Sequence, residues 1–493
     1  MSDSYILAID QGTSSTKTII FDAQGKALFK ATEPLKTNYL DGNRVEQEAE
    51  EIYQNVLASV KKCLEGFKEV GGDASLIQSC GISNQRETFI LWDSKGQPLY
   101  NAVVWQCKRS IDVCSRLESD GLGKKLNQKT GLIIDPYFSG TKVIWLYENE
   151  SKVKEAIDKG DCFFGTVDSW LLFKMTGGKS YMTDYTNASR TMFFNLNNLH
   201  WDQELLADFG LTNLDLPELK PSSSHFGVTN FDGLLDHEIS ISAMIGDSHA
   251  AAFGECCFEP GNAKATLGTG SSVLMNIGSE PKSSQNGMVT TICWSTEDRI
   301  DYALEGIIVS AGATIEWVKN QLGLFENTGE LEKICLSLDS NGGVYIVPAF
   351  SGMGAPHWDM SRKATIEGLS FDSTKNHVIR AAVESIPYQI KDVIVAMEAD
   401  SGTPLTELKI DGGITSNKFV VQFLADLLER KVTNIEIADV SALGAGYLAG
   451  LKVGVYQSID HLKTFQQDET STSAGADAEK VMKYYEGWKK VIG

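Results

Sequence analysis

The stretch Tyr5–Asp22, YILAIDQGTSSTKTIIFD, contains the pattern that decides the fold. The β-rich run YILAIDQ is followed by the turn residues GTSS, and KTIIFD then resumes a β pattern before a second turn, AQGK. Apolar, β-rich runs separated by Gly, Ser and Thr predict strands joined by short turns. We therefore expect a β-meander at the start of the fold, with Asp10 at the end of its first strand.

A helix and a further strand follow this meander. Apolar residues recur at spacings of three and four from Ile52 to Leu64, which is the period of an amphipathic helix. The segment LIQSCGISNQ, residues 76–85, then returns to a strand pattern. Near the C-terminus, apolar positions from Val481 to Val491 predict a closing helix, preceded by a polar segment, residues 466–479, that we expect to be a solvated loop.

The same order of elements occurs again in the second half of the chain. ELKIDGGITSN, Glu407–Asn417, reads as a strand that ends in an aspartate and a Gly-rich turn, and KFVVQFLADLLER continues as a helix. NAKATLGTGSSVLMNIG, Asn262–Gly278, is a further strand, Gly-rich turn and strand. The chain is therefore predicted to be duplicated at the level of motif, with a domain boundary near residues 252–262.

Length and composition limit the possible functions. A chain of 493 residues with 42% hydrophobic residues predicts two or three globular domains. Its 44 basic and 65 acidic residues give a formal net charge of -21, which argues against nucleic acid and anionic membrane surfaces as partners. No stretch resembles a signal peptide or a membrane span, so a cytoplasmic location is expected. The nine cysteines show no CxxC pair and are predicted to be buried, reduced thiols.

Three Gly/Ser/Thr turns follow strands, at DQGTSSTK (Asp10), LGTGSS (Leu267) and DGGITSN (Asp411). Such turns allow backbone N–H groups and hydroxyls to approach phosphate oxygens that bulkier side chains would block. One turn alone is more often a plain β-turn, but three of them with strand-end aspartates favour nucleotide binding. None has the GxxxxGK[ST] pattern of a P-loop. Asp10 is placed to hold Mg²⁺ through water, because the hydrated ion keeps several waters beside nucleotide phosphates.

The stretch IGDSHAAAFG, Ile245–Gly254, places Asp, Ser and His together but cannot form a nucleophilic triad. In a triad the base must reach the nucleophile and the acid must reach the far side of the imidazole, and three consecutive residues cannot fold back to do so. Asp247 is left with two compatible interpretations: it caps the helix that follows, or it is a catalytic carboxylate.

Several motifs resemble the FGGY family of carbohydrate kinases, and within it the glycerol kinases. They are AIDQGTSSTK, GISNQRET, YNAVVWQCKR, GLIIDPYFSGTKVIWL, GTVDSWLLFKMTGG, TDYTNASRTMFFN, PAFSGMGAPHWD and DGGITSN, and two family signatures lie at residues 137–149 and 364–384. The resemblance runs from Tyr5 to Trp488. It implies an α/β fold of two actin-like, ribonuclease-H-like domains, residues 1–254 and 255–493, with ATP and substrate in the cleft between them.

The resemblance also implies the activity and the site residues. In the family, the Asp of the GD motif is the general base that accepts the proton of the attacking polyol hydroxyl, so Asp247 takes that role here. Glycerol or a similar polyol would be held, besides Asp247, by Arg86, Glu87, Trp105, Tyr137, Ser248 and Ser272. ATP would contact Thr13, Ser14, Ser15, Lys17, Thr269, Gly312, Glu316, Gly413 and Asn417, and Mg²⁺ would be held at Asp10 and Asp247. A homodimer or homotetramer would suit the family.

The chain departs from the family at the substrate end. Glycerol kinases usually have Asp-Gln-Gln where this chain has Asp247, Ser248 and His249, and Phe where it has Ser272. Both serines are smaller, so the pocket is expected to be larger and more polar. The alternative substrate is therefore a four- or five-carbon polyol or ketose, such as erythritol, threitol, ribulose or xylulose. His249 is either a further donor to that substrate or a packed residue behind the pocket.

The sequence also bears on regulation, which is expected to be absent or different, and on two other function classes. The loop at residues 229–240 has no Arg at the place where some relatives bind fructose bisphosphate, and Gly233 stands where others carry a phosphorylated His. An ATPase switch of the same superfamily would not need NQRET, Trp105 or Asp247. A binding protein that had lost activity would not need Asp10, Thr13 and Asp247 together. The polyol kinase is the leading hypothesis.

Overall fold

The computed structural model describes residues 4–465 and 469–493 and has an α/β architecture. Its strands are β1 (Tyr5–Gln11), β2 (Ser15–Phe21), β3 (Ala27–Pro34), β4 (Asn38–Leu40), β5 (Arg44–Gln47), β6 (Ile77–Asn84), β7 (Phe89–Trp92), β8 (Ala102–Val103), β9 (Phe163–Thr166), β10 (Met182–Asp184), β11 (Phe194–Asn195), β12 (His200–Trp201), β13 (Glu218–Lys220), β14 (Ser223–Thr229), β15 (Ile239–Gly246), β16 (Asn262–Leu267), β17 (Ser271–Gly278), β18 (Val289–Ser295), β19 (Ile300–Ile308), β20 (Tyr345–Val347), β21 (Thr365–Glu367), β22 (Glu407–Asp411), β23 (Lys431–Ile435) and β24 (Glu469–Thr472). Its α-helices are α1 (Ala49–Glu69), α2 (Ile111–Ser119), α3 (Leu122–Thr130), α4 (Ser139–Asn149), α5 (Ser151–Lys159), α6 (Val167–Met175), α7 (Tyr185–Ala188), α8 (Gln203–Asp208), α9 (Asp247–Gly254), α10 (Gly312–Asn320), α11 (Leu331–Leu336), α12 (Lys375–Ser401), α13 (Lys418–Leu428), α14 (Val440–Lys452), α15 (Ile459–Leu462) and α16 (Ala478–Ile492).

The first large sheet is built from the N-terminal half of the chain in the order β14-β15-β6-β1-β2-β3. β1, β2 and β3 form the predicted antiparallel meander, and β6 and β15 run parallel to β1. Helix α1 buries its apolar face, including Ile52, Val56 and Val60, in one core cluster with residues of this sheet. The parallel strands β1, β6 and β15 therefore present their carboxyl ends side by side at one edge.

The second large sheet has the order β18-β19-β17-β16-β22-β23-β24 and repeats the central pattern of the first. β16 and β17 form an antiparallel hairpin, and β22 and β23 run parallel to β16. This confirms the predicted repetition of strand, turn and strand in the two halves of the chain. The closing helix is also confirmed, as α16.

One prediction near the C-terminus is wrong. Residues 469–472 of the expected polar loop form β24, which pairs antiparallel with β23 at the edge of the second sheet. Residues 466–468 of that prediction lie outside the described residues. The strand has the sequence ETST, which contains no apolar residue and hence no alternation that a sequence pattern could reveal. Its place in the sheet comes from backbone pairing with β23.

The cysteines are buried as predicted, with one exception. Eight of the nine cysteines are buried, while Cys256 is half-buried, and burial raises the pKa of thiols such as Cys63 to about 12. Over the described ranges, no helix is both long and apolar enough to span a bilayer.

The two sheets are joined through helices α9 and α14, which follow a strand of the first and second sheet respectively. The helices approach so closely that a Cβ on Gly444 would lie 1.9 Å from the backbone oxygen of Ala250, and one on Gly254 would lie 2.4 Å from that of Val440. α14 also packs against the first sheet, where a Cβ on Gly81 would lie 2.2 Å from the oxygen of Ala445. Only glycine permits such backbone contact, so this crossing sets the distance between the sheets.

We predict that Gly444→Ala forces α9 and α14 apart and lowers the free energy of unfolding by at least about 1–3 kcal/mol, the usual cost of overpacking. The matched control is Gly446→Ala in the same helix, where the new Cβ would lie 3.2 Å from a ring carbon of Phe21 rather than against backbone. Both variants gain the same helix propensity. Thermal unfolding measures the difference, and equal melting temperatures for the two variants would contradict the packing argument.

Candidate active site

The candidate site lies where the parallel strands of the first sheet end. In register, Asp10 of β1 is opposite Ser83 of β6, and Gly246 of β15 is opposite Asn84. The residues that follow these strands therefore emerge together, as ligand-binding residues do in open α/β sheets. This edge unites the Gly/Ser/Thr turn at residues 10–17, which we call the first phosphate turn after its prediction from the sequence, the Arg86–Glu87 pair and Asp247.

Helix α9 begins at Asp247, one residue earlier than the capping interpretation requires. Gly246 occupies the N-cap position, so the interpretation of Asp247 as the N-cap is wrong. The side chain of Asp247 is 39% exposed. Oδ1 accepts a hydrogen bond of 3.1 Å from Nε of Arg86 and one of 2.7 Å from the backbone N–H of Ser248. The backbone oxygen of Asp247 accepts from Oγ of Ser441 at 3.0 Å, which ties it to α14. The carboxylate is thus held by contacts on Oδ1 while remaining accessible to solvent.

Behind Asp247 lies a buried ion cluster. Nη1 of Arg86 donates to Oε1 of Glu305 at 2.7 Å, and Arg190 contacts Glu305 at 2.7 Å and Glu87 at 2.6 Å. Burial raises the pKa of the Glu305 carboxyl, but the charges of Arg190 and Arg86 outweigh it and hold that pKa well below its usual range. The pKa of Glu87 is raised, mainly by burial. The cluster joins the two halves of the chain, because Glu305 lies in β19 of the second sheet.

Arg190 and Glu305 are absent from the sequence-based set of site residues. Arg190 lies inside TDYTNASRTMFFN, a motif that carries the family resemblance but contributes no residue to the predicted site. Glu305 is a charged residue in the apolar strand IDYALEGII. A carboxylate in such a strand is the signal that could have found it, because buried charges require partners.

Glu87 is held in a tight turn. The N–H of Thr88 donates to the oxygen of Arg86 at 2.7 Å, and Glu87 between them has φ of 60°. A non-glycine residue at positive φ is strained and persists where the surrounding structure requires it. Here Oε1 of Glu87 accepts from Arg190, and its backbone oxygen accepts from Oγ of Ser139 at 2.8 Å.

Two aromatic residues form the aromatic wall of the site, by which we mean Trp105 and Tyr137. Their rings meet edge to face with centroids 5.6 Å apart. Nε1 of Trp105 donates to Oγ1 of Thr13 at 2.9 Å, so the wall is hydrogen-bonded to the first phosphate turn. Burial raises the pKa of the Tyr137 phenol, which therefore stays protonated and able to donate.

The residues at which the chain departs from the family it resembles lie on the ion cluster. Oγ of Ser272 donates to Glu305 at 3.0 Å, and Oγ of Ser248 accepts from Nη2 of Arg86 at 3.2 Å. His249 is fully buried and its Nδ1 has no hydrogen-bond partner among the described residues. Burial, reinforced by the charge of Arg86, holds the pKa of His249 well below its usual range, so this imidazole is neutral.

The first phosphate turn carries five of the predicted residues, and the structure places them as follows. Thr13 donates from its hydroxyl to Gln85 at 3.3 Å. Ser14 is exposed, and Ser15 begins β2. Nζ of Lys17 lies 3.7 Å from Oδ2 of Asp10 and 3.0 Å from Oδ1 of Asp439. Burial raises the pKa of Asp10 to about 6, and the charge of Asp247 adds to this shift while Lys17 opposes it.

The remaining predicted residues surround the turn after β16. Gly312 begins α10, and a Cβ there would lie 2.7 Å from the backbone oxygen of Gly268, while the oxygen of Thr269 accepts from the N–H groups of Ala311 and Ala313 at 3.0 Å. Glu316, one turn further along α10, is exposed and accepts from Asn320. The remaining two lie after β22. A Cβ on Gly413 would meet open space, and Asn417 caps α13 by accepting from the N–H of Phe419 at 3.0 Å.

The donor set for a metal ion consists of two carboxylates. No group of three His, Cys, Asp or Glu side chains suitable for a metal occurs in the part of the chain that the structure describes. The negative charge of Asp247 contributes to the raised pKa of Asp10, so the two carboxylates lie near each other. Among the ion pairs of the described residues, Asp10 contacts one cation, Lys17. Two carboxylates at a solvent-accessible edge fit Mg²⁺, which binds through one or two carboxylates and keeps its waters.

Comparison with known proteins agrees with this geometry. The family model for the N-terminal domain of the FGGY family of carbohydrate kinases matches residues 5–254, and the C-terminal domain model matches residues 263–453. A glycerol kinase of Thermoanaerobacter pseudethanolicus is 43% identical over 489 residues, which cover 99% of this chain and 98% of that protein.

Two solved structures show the same fold. The Plasmodium falciparum glycerol kinase with ADP superposes with a TM-score of 0.94 at 33% identity, covering 99% of this chain and 98% of that one. A ligand-bound xylulose kinase from Lactobacillus acidophilus has a TM-score of 0.87 at 20% identity, with coverage of 99% and 98%. The predicted actin-like α/β fold is thereby confirmed. The chain belongs to the FGGY family of carbohydrate kinases.

Proposed function

We propose that the chain is an ATP-dependent kinase that phosphorylates a terminal hydroxyl of glycerol or a closely similar polyol, converting glycerol and ATP to glycerol 3-phosphate and ADP. The observation that carries this proposal is the position of Asp247, an accessible carboxylate fastened to Arg86 where the parallel strands end. The full-length likeness to glycerol kinases supports it.

Asp247 is the general base in this proposal. A hydroxyl that attacks the γ-phosphate must lose its proton, and a carboxylate within hydrogen-bond reach can accept it. Oδ1 of Asp247 is engaged by Arg86 and the Ser248 N–H, so we assign proton acceptance to Oδ2. Because Arg86 is itself held by Glu305 at 2.7 Å, the base is fixed before substrate binds, which is the preorganisation that proton transfer requires.

The polyol would be held by side chains around the same carboxylate. Arg86 donates and Glu87 accepts, so together they can hold adjacent hydroxyls. The aromatic wall of Trp105 and Tyr137 offers apolar surface to the carbon chain and a phenol to its oxygen. The buried ion cluster would keep Glu87 oriented through Arg190.

ATP would contact all three Gly/Ser/Thr turns, which begin at Asp10, Leu267 and Asp411. Backbone and hydroxyl groups of Thr13, Ser14 and Ser15, with Lys17, would contact phosphates, and Thr269 would face the transferred group. Gly312, Glu316, Gly413 and Asn417 would surround the rest of the nucleotide. Residues 1–254 would thus supply the polyol site, the first phosphate turn and the catalytic Asp247, and residues 255–493 would supply the adenine nucleotide site.

Asp10 and Asp247 would hold Mg²⁺ through its bound waters, which leaves Oδ2 of Asp247 able to accept the substrate proton. When bound, the ion neutralises negative charge on the phosphates that approach the hydroxyl. The protein's own part is to keep two carboxylates at this edge with Lys17 as the neighbouring cation. The assembly is proposed to be a homodimer or homotetramer in the cytoplasm, as expected from the family.

A second candidate substrate is a four- or five-carbon polyol or ketose. It is favoured by the contacts of Ser248 and Ser272, whose short side chains lie on Arg86 and Glu305 and add hydroxyl groups there. A longer substrate would extend towards this pair while its reacting end is held at Asp247.

We predict that Asp247→Asn lowers kcat by about 10²–10⁴-fold, the contribution of general base catalysis, with a much smaller change in the polyol KM. ADP release with Mg-ATP and glycerol measures it. The control is Asp120→Asn, which removes one carboxylate from an exposed position on the same half of the chain. If Asp247→Asn retains more than half of the activity, Asp247 is not the base.

We predict that polyols accelerate ADP release and that Ser272→Phe narrows the substrate range. The phenyl ring of the variant would fill the space beside Glu305 that a longer substrate needs. The kcat/KM should therefore fall at least about tenfold more for the four- and five-carbon substrates erythritol, threitol, ribulose and xylulose than for glycerol. Ser272→Ala, which removes the hydroxyl without adding volume, is the control. If no polyol raises turnover above the rate with ATP alone, the chain is an ATPase switch and the kinase proposal fails.

We predict that Asp10→Asn raises the Mg²⁺ concentration for half-maximal activity at least about tenfold, because one of two anionic ligands is lost. Mn²⁺ binding in the presence of ADP, followed by electron spin resonance, should weaken in parallel. Asp439→Asn is the control, since it breaks the other contact of Lys17 and leaves both proposed ligands. If both variants need the same Mg²⁺ concentration for half-maximal activity, the change comes from a lost contact of Lys17 and not from a lost metal ligand.

A further inference from the structure

Lys142 is a fully buried lysine directly behind the aromatic wall. It lies in α4, and its Nζ donates to the backbone oxygen of Tyr137 at 2.9 Å and to that of Trp105 at 3.4 Å. These two acceptors belong to segments 32 residues apart in the sequence. One ammonium group therefore connects the backbones of both aromatic residues.

The surroundings of Lys142 compensate only part of its charge. The charged or titratable groups around it include Glu87, Asp135 and Cys107, which favour the ammonium, Arg109, which opposes it, and the thiol of Cys114. Burial is the largest influence and lowers the pKa of Lys142 to about 8. A buried ammonium is costly unless it is paired and hydrogen-bonded, and the acceptors that Lys142 has among the described residues are the backbone oxygens of Trp105 and Tyr137.

We propose that Lys142 is the positioning residue of the polyol pocket, whose ammonium fixes Trp105 and Tyr137 through their backbone oxygens. This rests on the proposed function, since it concerns the same polyol site. The ammonium has three donors and can hold both carbonyl groups at once, whereas the neutral amine is a weaker donor to each. The aromatic wall then keeps its edge-to-face geometry and its hydrogen bond to Thr13.

Two consequences distinguish this role from simple core packing. Loss of the ammonium should weaken polyol binding more than ATP binding, because Lys142 touches the backbone of the aromatic wall. The weakening should also follow protonation in the unaltered protein. Since the folded-state pKa is lowered, the unfolded chain binds more protons above pH 8, so deprotonation of Lys142 does not reduce global stability there. A loss of polyol affinity caused by deprotonation of Lys142 is therefore not accompanied by a loss of stability from that group.

The experiment measures KM for glycerol at saturating Mg-ATP, and KM for ATP at saturating glycerol, from pH 6.5 to 9.5. In the unaltered protein the glycerol KM should be constant near pH 7 and rise by about tenfold per pH unit well above pH 8, while the ATP KM changes less than about threefold. Lys142→Met should have a glycerol KM raised at least about tenfold at every pH, with a flat profile.

Two further variants test the assignment. Lys142→Arg keeps its charge throughout this range, so it should lose the alkaline rise in glycerol KM. Lys174→Met removes a half-buried lysine of the same domain that pairs with Glu50, and it should leave the glycerol KM within about twofold of the unaltered value.

The outcomes separate this inference from the proposed function. A glycerol KM that is flat to pH 9.5 in the unaltered protein overturns the role of Lys142, and so does an alkaline rise that persists in Lys142→Arg. If Lys142→Met does not fold, the pH profile of the unaltered protein decides alone. If no polyol is phosphorylated at any pH, the proposed function itself fails.

Discussion

The guanidinium of Arg86 is the group on which the site depends. It contacts Asp247 through Nε, Glu305 through Nη1 and Ser248 through Nη2, and it is only 7% exposed. Glu305 belongs to the second sheet, and Asp247 and Ser248 are the first two residues of α9, while Arg86 itself follows β6 of the first sheet. A buried arginine whose three nitrogens each donate to a different residue, two of them to carboxylates, is held in one orientation. The accessible carboxylate of Asp247 therefore has a defined position before any ligand arrives.

This arrangement requires the two sheets to stand at a set distance, and the crossing of α9 and α14 provides it. Gly444 and Gly254 bring the helix backbones into direct contact, and Ser441 of α14 donates to the backbone of Asp247. The helix that begins at Asp247 is thus packed against the helix that follows the parallel strands of the second sheet. Asp247 therefore lies at a packed interface between the two halves of the chain.

Sequence patterns predicted a large part of this fold because its elements have clear periods. The hairpin at Tyr5–Asp22, helix α1 and helix α13 all show the apolar spacing that tertiary packing uses. The exclusion of a triad at Asp247 needed only the geometry of three consecutive residues. Patterns failed where the backbone alone makes the structure, as in β24, or where a polar residue acts through distant partners, as in Arg190 and Glu305.

The sequence by itself determined the elements, the duplicated motif and the chemistry available at the strand ends, because these depend on local period and residue type. The tertiary structure decided which charges meet: Arg86 with Glu305 across 219 positions, and Lys142 with the backbone oxygens of Trp105 and Tyr137. Such contacts depend on distances between elements far apart in the chain. No local pattern encodes them, since a buried ion pair is defined by the space between its partners and not by their spacing in sequence.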